Sequence, residues 1–265
     1  MHITEIHKDL KSGSKIICTL LLLISQFVSS QSVQELFEKG NEQYKLEQYE
    51  DAIQTYNQIE QLSVTSSSLY YNLGNCYYKL NRVAPSIYNY EKALLIDPLN
   101  DDTKNNLVFA KRLAIDNIEA LPKSVLQKVD EAVVKKLSYN GWAIASVVLS
   151  VVGCSLFMLF YFSFSPKNKR LFFVTSIICF MLLVTISILT FKEYSFAQNN
   201  LEAIVFAVET KVKNAPSLNG ETVFTLHEGT KVKVLDTIDN WKKVKIDDGK
   251  IGWITSDDLK MLRVF

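Results

Sequence analysis

The stretch YYNLGNCYYKLNRVAPSIYNYEKALLIDP, residues 70–98, decides the fold of the N-terminal part of the chain. It aligns with KGNEQYKLEQYEDAIQTYNQI, residues 39–59, at an offset of 34 residues, so that Gly40 matches Gly74 and Tyr56 matches Tyr90. A fixed period of this length, with small and aromatic residues at the same offsets, indicates a repeated helix pair. The sequence therefore predicts two consecutive copies of one helical unit.

This pattern resembles the tetratricopeptide repeat, in which a small residue lets two helices approach and aromatic side chains fill the space between them. Gly74 stands at the small position and Tyr90 at a filling position, and Pro98 is expected to stop the second helix. The second repeat departs from the pattern at Ser86, where alanine is usual. Two repeats cannot bury their own faces, so residues 101–119, with apolar side chains at helical spacing, are expected to add a capping helix.

The resemblance implies a partner-binding face, because the first helices of such repeats line a concave surface. The residues predicted there are Phe37, Asn41, Tyr44, Lys45, Tyr71, Asn72, Asn75, Tyr78 and Lys79. Asn41 and Asn72 resemble two asparagines of the carboxylate clamp that grips acidic peptide tails, but Phe37 and Asn106 stand where that clamp has basic residues. A groove for a protein or peptide of other chemistry is the expectation. The alternative is that these side chains only satisfy helix packing.

Composition excludes several function classes. The chain of 265 residues carries 29 basic and 28 acidic side chains, and residues 31–119 alone hold eight basic and thirteen acidic ones, which argues against a nucleic-acid partner. The four cysteines form no CxxC pair, and His227 is the only histidine beyond the first hydrophobic run. Hydrolytic and metal sites need several convergent groups. The sequence therefore predicts no catalytic residue, no metal site and no cofactor.

Three hydrophobic runs divide the chain. Residues 16–28 follow three lysines and precede Ser29 and Ser30, which predicts a signal peptide over residues 1–30, with an uncleaved N-terminal anchor as the alternative. Residues 142–164 and 171–191 contain no charge. At about 1.5 Å per residue, each is long enough to cross a hydrocarbon core of about 30 Å as a helix. The sequence therefore predicts a transmembrane hairpin that follows a linker over residues 120–141.

Residues 165–170, SPKNKR, form the expected tip of this hairpin and carry three positive charges. Basic loops favour the cytoplasm. The stretch before the hairpin is equally basic, with Lys123, Lys128, Lys135 and Lys136. The predicted signal peptide decides between the two orientations of the hairpin, because export of the N-terminal part places the tip in the cytoplasm and both soluble parts outside it.

The C-terminal part changes to period-two alternation, as in Lys231-Val232-Lys233-Val234, which is typical of strands with one buried face. Turn pairs separate the strands, and Asp248-Gly249 predicts a hairpin most strongly. Residues 203–265 are thus expected to form a small all-β barrel. The stretches VKNAPSLNGETVFTLHEGTKVKVL and NWKKVKIDDGKIGWI resemble a bacterial SH3 domain. The resemblance implies binding of cell-wall peptides or proteins, with Trp241 and Trp253 as core or ligand-cleft aromatics.

The whole arrangement resembles the BatE family, which is encoded in bacterial aerotolerance operons. The most specific stretches are NLVFAKRLAIDNIEALP, residues 106–122, and FTLHEGTKVKVL, residues 224–235. The resemblance implies an inner-membrane protein that works beside von Willebrand factor A-type membrane proteins and, indirectly, a MoxR-type ATPase, in envelope or oxidative-stress tolerance.

Three functions are therefore weighed for this multi-domain chain. The first is a non-enzymatic scaffold whose tetratricopeptide repeats, residues 31–119, and SH3-like barrel face the periplasm and bind protein partners. The second is a sensor whose barrel binds peptidoglycan. The third, an envelope hydrolase, would require His227 or Cys76 to act with a partner group.

Overall fold

The structure, a computed structural model, describes residues 32–119, 139–199 and 201–262, together with scattered positions between 121 and 137. The predicted signal peptide lies outside the described residues. The chain divides into two compact units, Met1–Thr65 and Ser66–Phe265, and each is described by itself.

The first unit contains the first predicted repeat as a pair of helices, α1 over residues 32–45 and α2 over Tyr49–Gln61. Gly40 of α1 faces the ring of Tyr56 in α2, and a Cβ atom at this glycine would lie only 2.4 Å from Cε1 of that ring. Tyr56 is buried together with Ala52 and Ile59. The close approach predicted from the repeat pattern is therefore confirmed in the first repeat.

The second unit begins with the second repeat, α3 over Ser67–Lys79 and α4 over Val83–Ile96. The same contact recurs, because a Cβ atom at Gly74 would lie 2.6 Å from the ring of Tyr90. The departure at Ser86 also has an explanation. Its buried hydroxyl donates a hydrogen bond of 3.0 Å to the carbonyl oxygen of Gly74, so a serine here joins the two helices at their closest point.

Helix α5, Asp101–Lys111, follows the second repeat and is shorter than the capping helix expected over residues 101–119. Asn100 caps its start by accepting a hydrogen bond of 2.8 Å from the backbone N–H of Thr103. Residues 112–119, called the strap below, leave the helix through a turn and then run without regular structure. Burial alternates along the strap at every second residue from Ala114 onward. Positions 110, 114 and 118 fit both a helical period and a period of two, and this ambiguity made the predicted helix too long.

Two long apolar helices come next, α6 over Tyr139–Phe162 and α7 over Pro166–Asn199. Both are long and apolar enough to cross a membrane, and hardly any of their apolar windows is buried in the structure. The turn between them contains only residues 163–165, since α7 starts at Pro166, a residue favoured at the first helical position. Lys167, Lys169 and Arg170 therefore lie in the first turns of a helix and not in a six-residue loop.

The C-terminal part is a seven-stranded antiparallel sheet. Its strands are β1 Glu202–Val205, β2 Glu209–Lys213, β3 Thr222–His227, β4 Lys231–Ile238, β5 Trp241–Lys245, β6 Ile251–Thr255 and β7 Leu259–Met261. They are ordered β3-β2-β6-β5-β4-β1-β7. The hairpin predicted at Asp248-Gly249 joins β5 to β6, and Gly249 adopts a φ of 96° there. One face buries an aliphatic core that includes Val212, Val244 and Ile254.

Candidate functional site

Two of the three asparagines predicted on the binding face, Asn41 and Asn75, take part in helix packing. The Tyr56 hydroxyl donates to Oδ1 of Asn41 at 2.7 Å, and the Tyr90 hydroxyl donates to Oδ1 of Asn75 at 2.6 Å. The two bonds lie at equivalent positions, one in each repeat. They tie the first helix of each pair to the tyrosine that fills the space behind it, so both amide oxygens already serve the fold.

A second network extends this packing in the second repeat. Asn106 of α5 donates from Nδ2 to Asn75 at 2.9 Å and to the hydroxyl of Tyr71 at 3.2 Å. Asn106, expected to stand where a clamp would have a basic residue, therefore joins α5 to α3. Tyr71 is half-buried, and so are Asn72 and Tyr78.

The remaining predicted residues differ in exposure. In the first repeat Phe37 is half-buried, and its ring centroid lies 5.9 Å from that of Tyr56, while Tyr44 packs edge-on against Tyr49 at 5.3 Å. Lys45 in the first repeat and its counterpart Lys79 in the second are exposed.

Both tryptophans singled out in the sequence lie on the outer face of the β sheet. Trp253 lies opposite Lys243 of β5 and Lys213 of β2, and Trp241 lies two residues before Lys243. Val244, the residue after Lys243, points into the core, and alternate residues of a strand lie on opposite faces, so Trp241, Lys243 and Trp253 lie on the outer face. Trp253 is 8% exposed, with the Lys243 ammonium 5.8 Å from its ring centroid, and Trp241 is half-buried.

The largest feature that the sequence did not predict is a junction between the second repeat and the β domain. Ile204 of β1 and Leu262, which follows β7, enter the same buried cluster as Val83, Ile87 and Tyr88 of α4. At the turn before β4, Gly229 has a φ of 87° and lies so close to α4 that an added Cβ atom would be 2.9 Å from Ile87. The two folds therefore share one hydrophobic cluster, which is separate from the aliphatic core of the sheet.

Polar contacts fasten the strap to the β domain beside this cluster. Asp116 accepts hydrogen bonds from the backbone N–H of His227 at 2.7 Å and from the Thr230 hydroxyl at 2.6 Å, and its second oxygen lies 2.7 Å from Nδ1 of His227. Burial alone would raise the pKa of Asp116, but the hydrogen bonds from Thr230 and His227 lower it below its ordinary value. The carboxylate is therefore held in its charged form.

A chain of charges crosses the junction. Glu91 of α4 contacts Lys111 at 2.8 Å and Lys231 of β4 at 2.9 Å, and Lys231 also contacts Glu202 of β1 at 2.7 Å. The Glu91 side chain is 10% exposed. Its burial alone would raise the pKa, but the two lysines lower it to about 2. Burial alone would lower the pKa of Lys231, but the carboxylates of Glu91 and Glu202 raise it above its ordinary value.

Aromatic contacts complete the junction. The rings of Tyr88 and Phe206 meet edge-to-face with centroids 5.6 Å apart, and the Lys260 ammonium lies 4.5 Å from the Tyr88 ring centroid. The Tyr88 hydroxyl donates to the carbonyl oxygen of Met261 at 3.3 Å. Hydrophobic and aromatic contacts thus connect α4 with the first and last strands of the sheet, and the ion pair between Glu91 and Lys231 connects it with β4.

The junction brings together the two stretches that carry the resemblance to the BatE family. Asp116 lies in residues 106–122, and both His227 and Thr230 lie in residues 224–235. A single sequence shows that these stretches are distinctive but not that they touch. No local sequence pattern around Asp116 pointed to His227 or Thr230 as its partners.

Comparison with known proteins identifies the parts. Residues 209–260 match the family model described as a bacterial SH3 domain. Residues 67–100 match the model described as a tetratricopeptide repeat, and residues 40–81 match a second model described as a TPR repeat. The chain joins tetratricopeptide repeats to a bacterial SH3 domain. Strand β1, which carries Ile204 into the repeat, lies before the matched SH3 residues.

Among curated proteins, the chain is similar to sperm-associated antigen 1 of Mus musculus, with 33% identity over 79 residues. The matched part is 30% of this chain and 9% of the mouse protein, so the chain spans about a tenth of the length of that relative.

Tetratricopeptide and SH3 domains are typically interaction modules without catalytic activity. His227 does have a carboxylate partner, Asp116, but that carboxylate also binds the His227 backbone and Thr230, which is the geometry of a structural fastening. Among the described residues, no group of three His, Cys, Asp or Glu side chains is arranged to hold a metal ion.

We expect the Cys76 thiol to be unreactive toward alkylating reagents in the folded protein. Burial raises the pKa of this thiol to about 12, so the reactive thiolate is scarce at neutral pH. N-ethylmaleimide followed by peptide mass spectrometry should leave Cys76 unmodified in the native protein and modify it fully after denaturation. Rapid labelling of native Cys76 would contradict the buried position of α3.

Proposed function

We propose that this protein is a non-enzymatic scaffold of the bacterial envelope, anchored in the inner membrane and holding protein partners beside it. The single observation that carries the proposal is the junction. It joins a tetratricopeptide repeat and an SH3 domain through a common hydrophobic cluster, so two interaction modules are held in one fixed relation. A scaffold has to hold its partners in a defined arrangement, which two rigidly joined interaction modules provide.

The position of the apolar hairpin supports anchoring. Helices α6 and α7 are inserted in the chain between the strap and β1, and both of these segments belong to the junction. A hairpin inserted at this point would hold repeat and SH3 domain on the same side of the bilayer. We further propose that this side is the periplasm, as the predicted signal peptide implies.

The proposed partners come from the resemblance to the BatE family. They are von Willebrand factor A-type membrane proteins in the same membrane and, through them, a MoxR-type ATPase, in a pathway of oxidative-stress or aerotolerance. In each repeat, taken by itself, the first helix carries a proposed protein-binding face. Lys45 in the first repeat and Lys79 in the second are the exposed members of these faces.

Affinity purification tests the scaffold. Tagged full-length protein from solubilised membranes should recover the neighbouring membrane proteins of its operon, and the double variant Lys45→Glu/Lys79→Glu should recover about tenfold less, a loss of roughly 1.4 kcal/mol in binding free energy. The matched control is Lys104→Glu/Lys250→Glu, which removes two exposed lysines elsewhere. Recovery of no membrane protein by the unaltered chain would refute the scaffold.

Cysteine labelling in intact cells tests the orientation. Single cysteines introduced at exposed positions such as Lys79, Lys167 and Lys250 report the repeat, the hairpin tip and the SH3 domain. A membrane-impermeant maleimide should label the first and third sites and not the second. Labelling of the tip alone would reverse the proposed orientation while leaving the fold untouched.

A further inference from the structure

The outer face of the SH3 sheet carries a row of five lysines, called the lysine row below. Strand pairing places Lys233 directly opposite Lys245, and it places Lys243 and Lys213 on either side of Trp253. Residues two apart in a strand share a face, which adds Lys211 beside Lys213. The row therefore crosses four neighbouring strands, from β4 through β5 and β6 to β2.

The charge of this row is largely uncompensated. Salt bridges among the described residues of the sheet involve Lys231 and Lys250 but none of the five lysines. The Lys213 ammonium binds carbonyl oxygens of the neighbouring turn. Three carboxylates lie opposite or beside the row: Asp236 opposite Lys243, Glu209 at the start of β2, and Glu202 opposite Lys233. Glu202 is bound to Lys231, which shares this face, so six lysines against three carboxylates leave an excess of three positive charges.

Strand pairing accounts for only part of this arrangement, since Glu202 lies opposite Lys233 and Asp236 lies opposite Lys243. Like charges that lie directly opposite each other weaken a strand pair, so the Lys233–Lys245 pair works against the sheet. The junction uses none of these five lysines. On this face it reaches only Lys231 of β4, which binds Glu91 of α4, and it is otherwise built from β1, β7 and the turn at Gly229. A cationic face left open on the far strands of the sheet fits an anionic surface.

The chain places the SH3 domain close to the end of the apolar hairpin. Helix α7 continues from Lys192, where its apolar window ends, to Asn199, a distance of about 10 Å at 1.5 Å per residue. Strand β1 starts at Glu202, only three residues later. With the hairpin in a bilayer, the SH3 domain is tethered at the level of the lipid headgroups.

We propose that the lysine row binds anionic phospholipid headgroups of the membrane that holds the hairpin. Lysine ammonium groups attract an anionic lipid surface within about a Debye length, about 8 Å at physiological ionic strength. The half-buried, amphipathic Trp241 and the exposed Ile251, opposite Lys245, give the face the mixed apolar and cationic character of an interfacial surface. The proposal rests on membrane insertion of the hairpin and not on the scaffold's partners.

Lysine footprinting on the full-length protein in nanodiscs tests this inference. Acylation rates are compared between nanodiscs that contain phosphatidylglycerol and nanodiscs of phosphatidylcholine alone. We expect Lys233, Lys243 and Lys245 to react roughly threefold more slowly in the anionic discs, and the difference to vanish at high salt. Lys104 and Lys250, exposed on α5 and on a turn, should react equally in both.

A pair of variants separates headgroup binding from other causes. Lys233→Gln/Lys245→Gln should abolish the lipid-dependent protection of Lys211, whereas Lys104→Gln/Lys250→Gln should leave it intact. Equal rates at the row in both lipids overturn the proposal. So does lipid-independent protection that grows with protein concentration, which would assign the face to a second copy. Retention on purified peptidoglycan without any lipid effect would assign it to the cell wall, and failure to enter nanodiscs would overturn membrane anchoring too.

Discussion

Gly229→Ala is expected to destabilise the second unit by roughly 2–4 kcal/mol and to loosen the junction. Two effects add. The residue has a φ of 87°, where a side chain costs about 1–2 kcal/mol, and the new Cβ atom would lie 2.9 Å from Ile87 and 3.0 Å from Val83. Neither helix side chain can retreat far, because Ile87 is fully buried and Val83 nearly so.

The measurements are the free energy of unfolding in urea, in mild detergent, and hydrogen exchange of the strap and of β3. Gly249→Ala is the matched control, since its φ of 96° imposes the same backbone strain while its Cβ atom would meet only Leu121, at 3.2 Å. We expect the control to lose about 1–2 kcal/mol and to leave exchange of the strap unchanged. Equal losses in the two variants would show that close packing against α4 contributes nothing.

Glu91→Gln is expected to cost on the order of 3 kcal/mol at neutral pH, because it removes the anion between two lysines at a nearly buried position. Lys231 keeps Glu202 as a partner, which limits the loss. Asp101→Asn is the control. It removes an ion pair to Lys104 in which the side chains are 44% and 84% exposed, and it should cost less than about 1 kcal/mol.

The contribution of Glu91 to the free energy of unfolding is also expected to depend on pH. The folded pKa of Glu91 is about 2, below its ordinary value of 4.5, so the charged form contributes stability above pH 4.5 that is lost as pH falls toward 2. The difference in unfolding free energy between the original protein and Glu91→Gln should therefore shrink between pH 5 and pH 2.5, by up to about 3 kcal/mol. A difference that stays constant over this range would show that the ion pairs do not stabilise the fold.

Sequence patterns predicted the parts of this protein because each part repeats a local rule. The period of 34 residues located both helix pairs, and the alternation Lys231-Val232-Lys233-Val234 located β4 with its buried face. The length of two uncharged runs located α6 and α7. Helix ends were less predictable, since Ala114 and Ile118 satisfy a helix and an extended strap equally well.

The junction could not be predicted, because it depends on contacts between residues more than a hundred positions apart. Asp116 and His227 are separated by 111 residues and Glu91 and Lys231 by 140. Nothing in the local pattern around Glu91 distinguishes it from an exposed helical glutamate. The predicted partner-binding asparagines raise the converse difficulty, since Asn41 and Asn75 fit a binding surface and a packing role equally until their tyrosine partners are seen.

At the tip of the hairpin, the charges that help to orient a membrane protein conflict with the stability of the helix that carries them. Three cations in the first turns of α7 face the positive end of the helix dipole, an unfavourable placement worth a few tenths of a kcal/mol or more. Helix stability alone would select acidic residues there. Their presence therefore supports a role in fixing orientation during membrane insertion, as the proposed topology requires.

The shared cluster also sets an order of events during synthesis. Tyr88 lies 173 positions before Met261, whose carbonyl oxygen it binds, and two long apolar helices must be made between them. Until Ile204 and Leu262 have left the ribosome, the α4 surface formed by Val83, Ile87 and Tyr88 stays uncovered. The second repeat therefore completes its packing only after the hairpin and β7 have been synthesised. Chains truncated before β7 would leave this hydrophobic surface of α4 exposed to quality-control proteases.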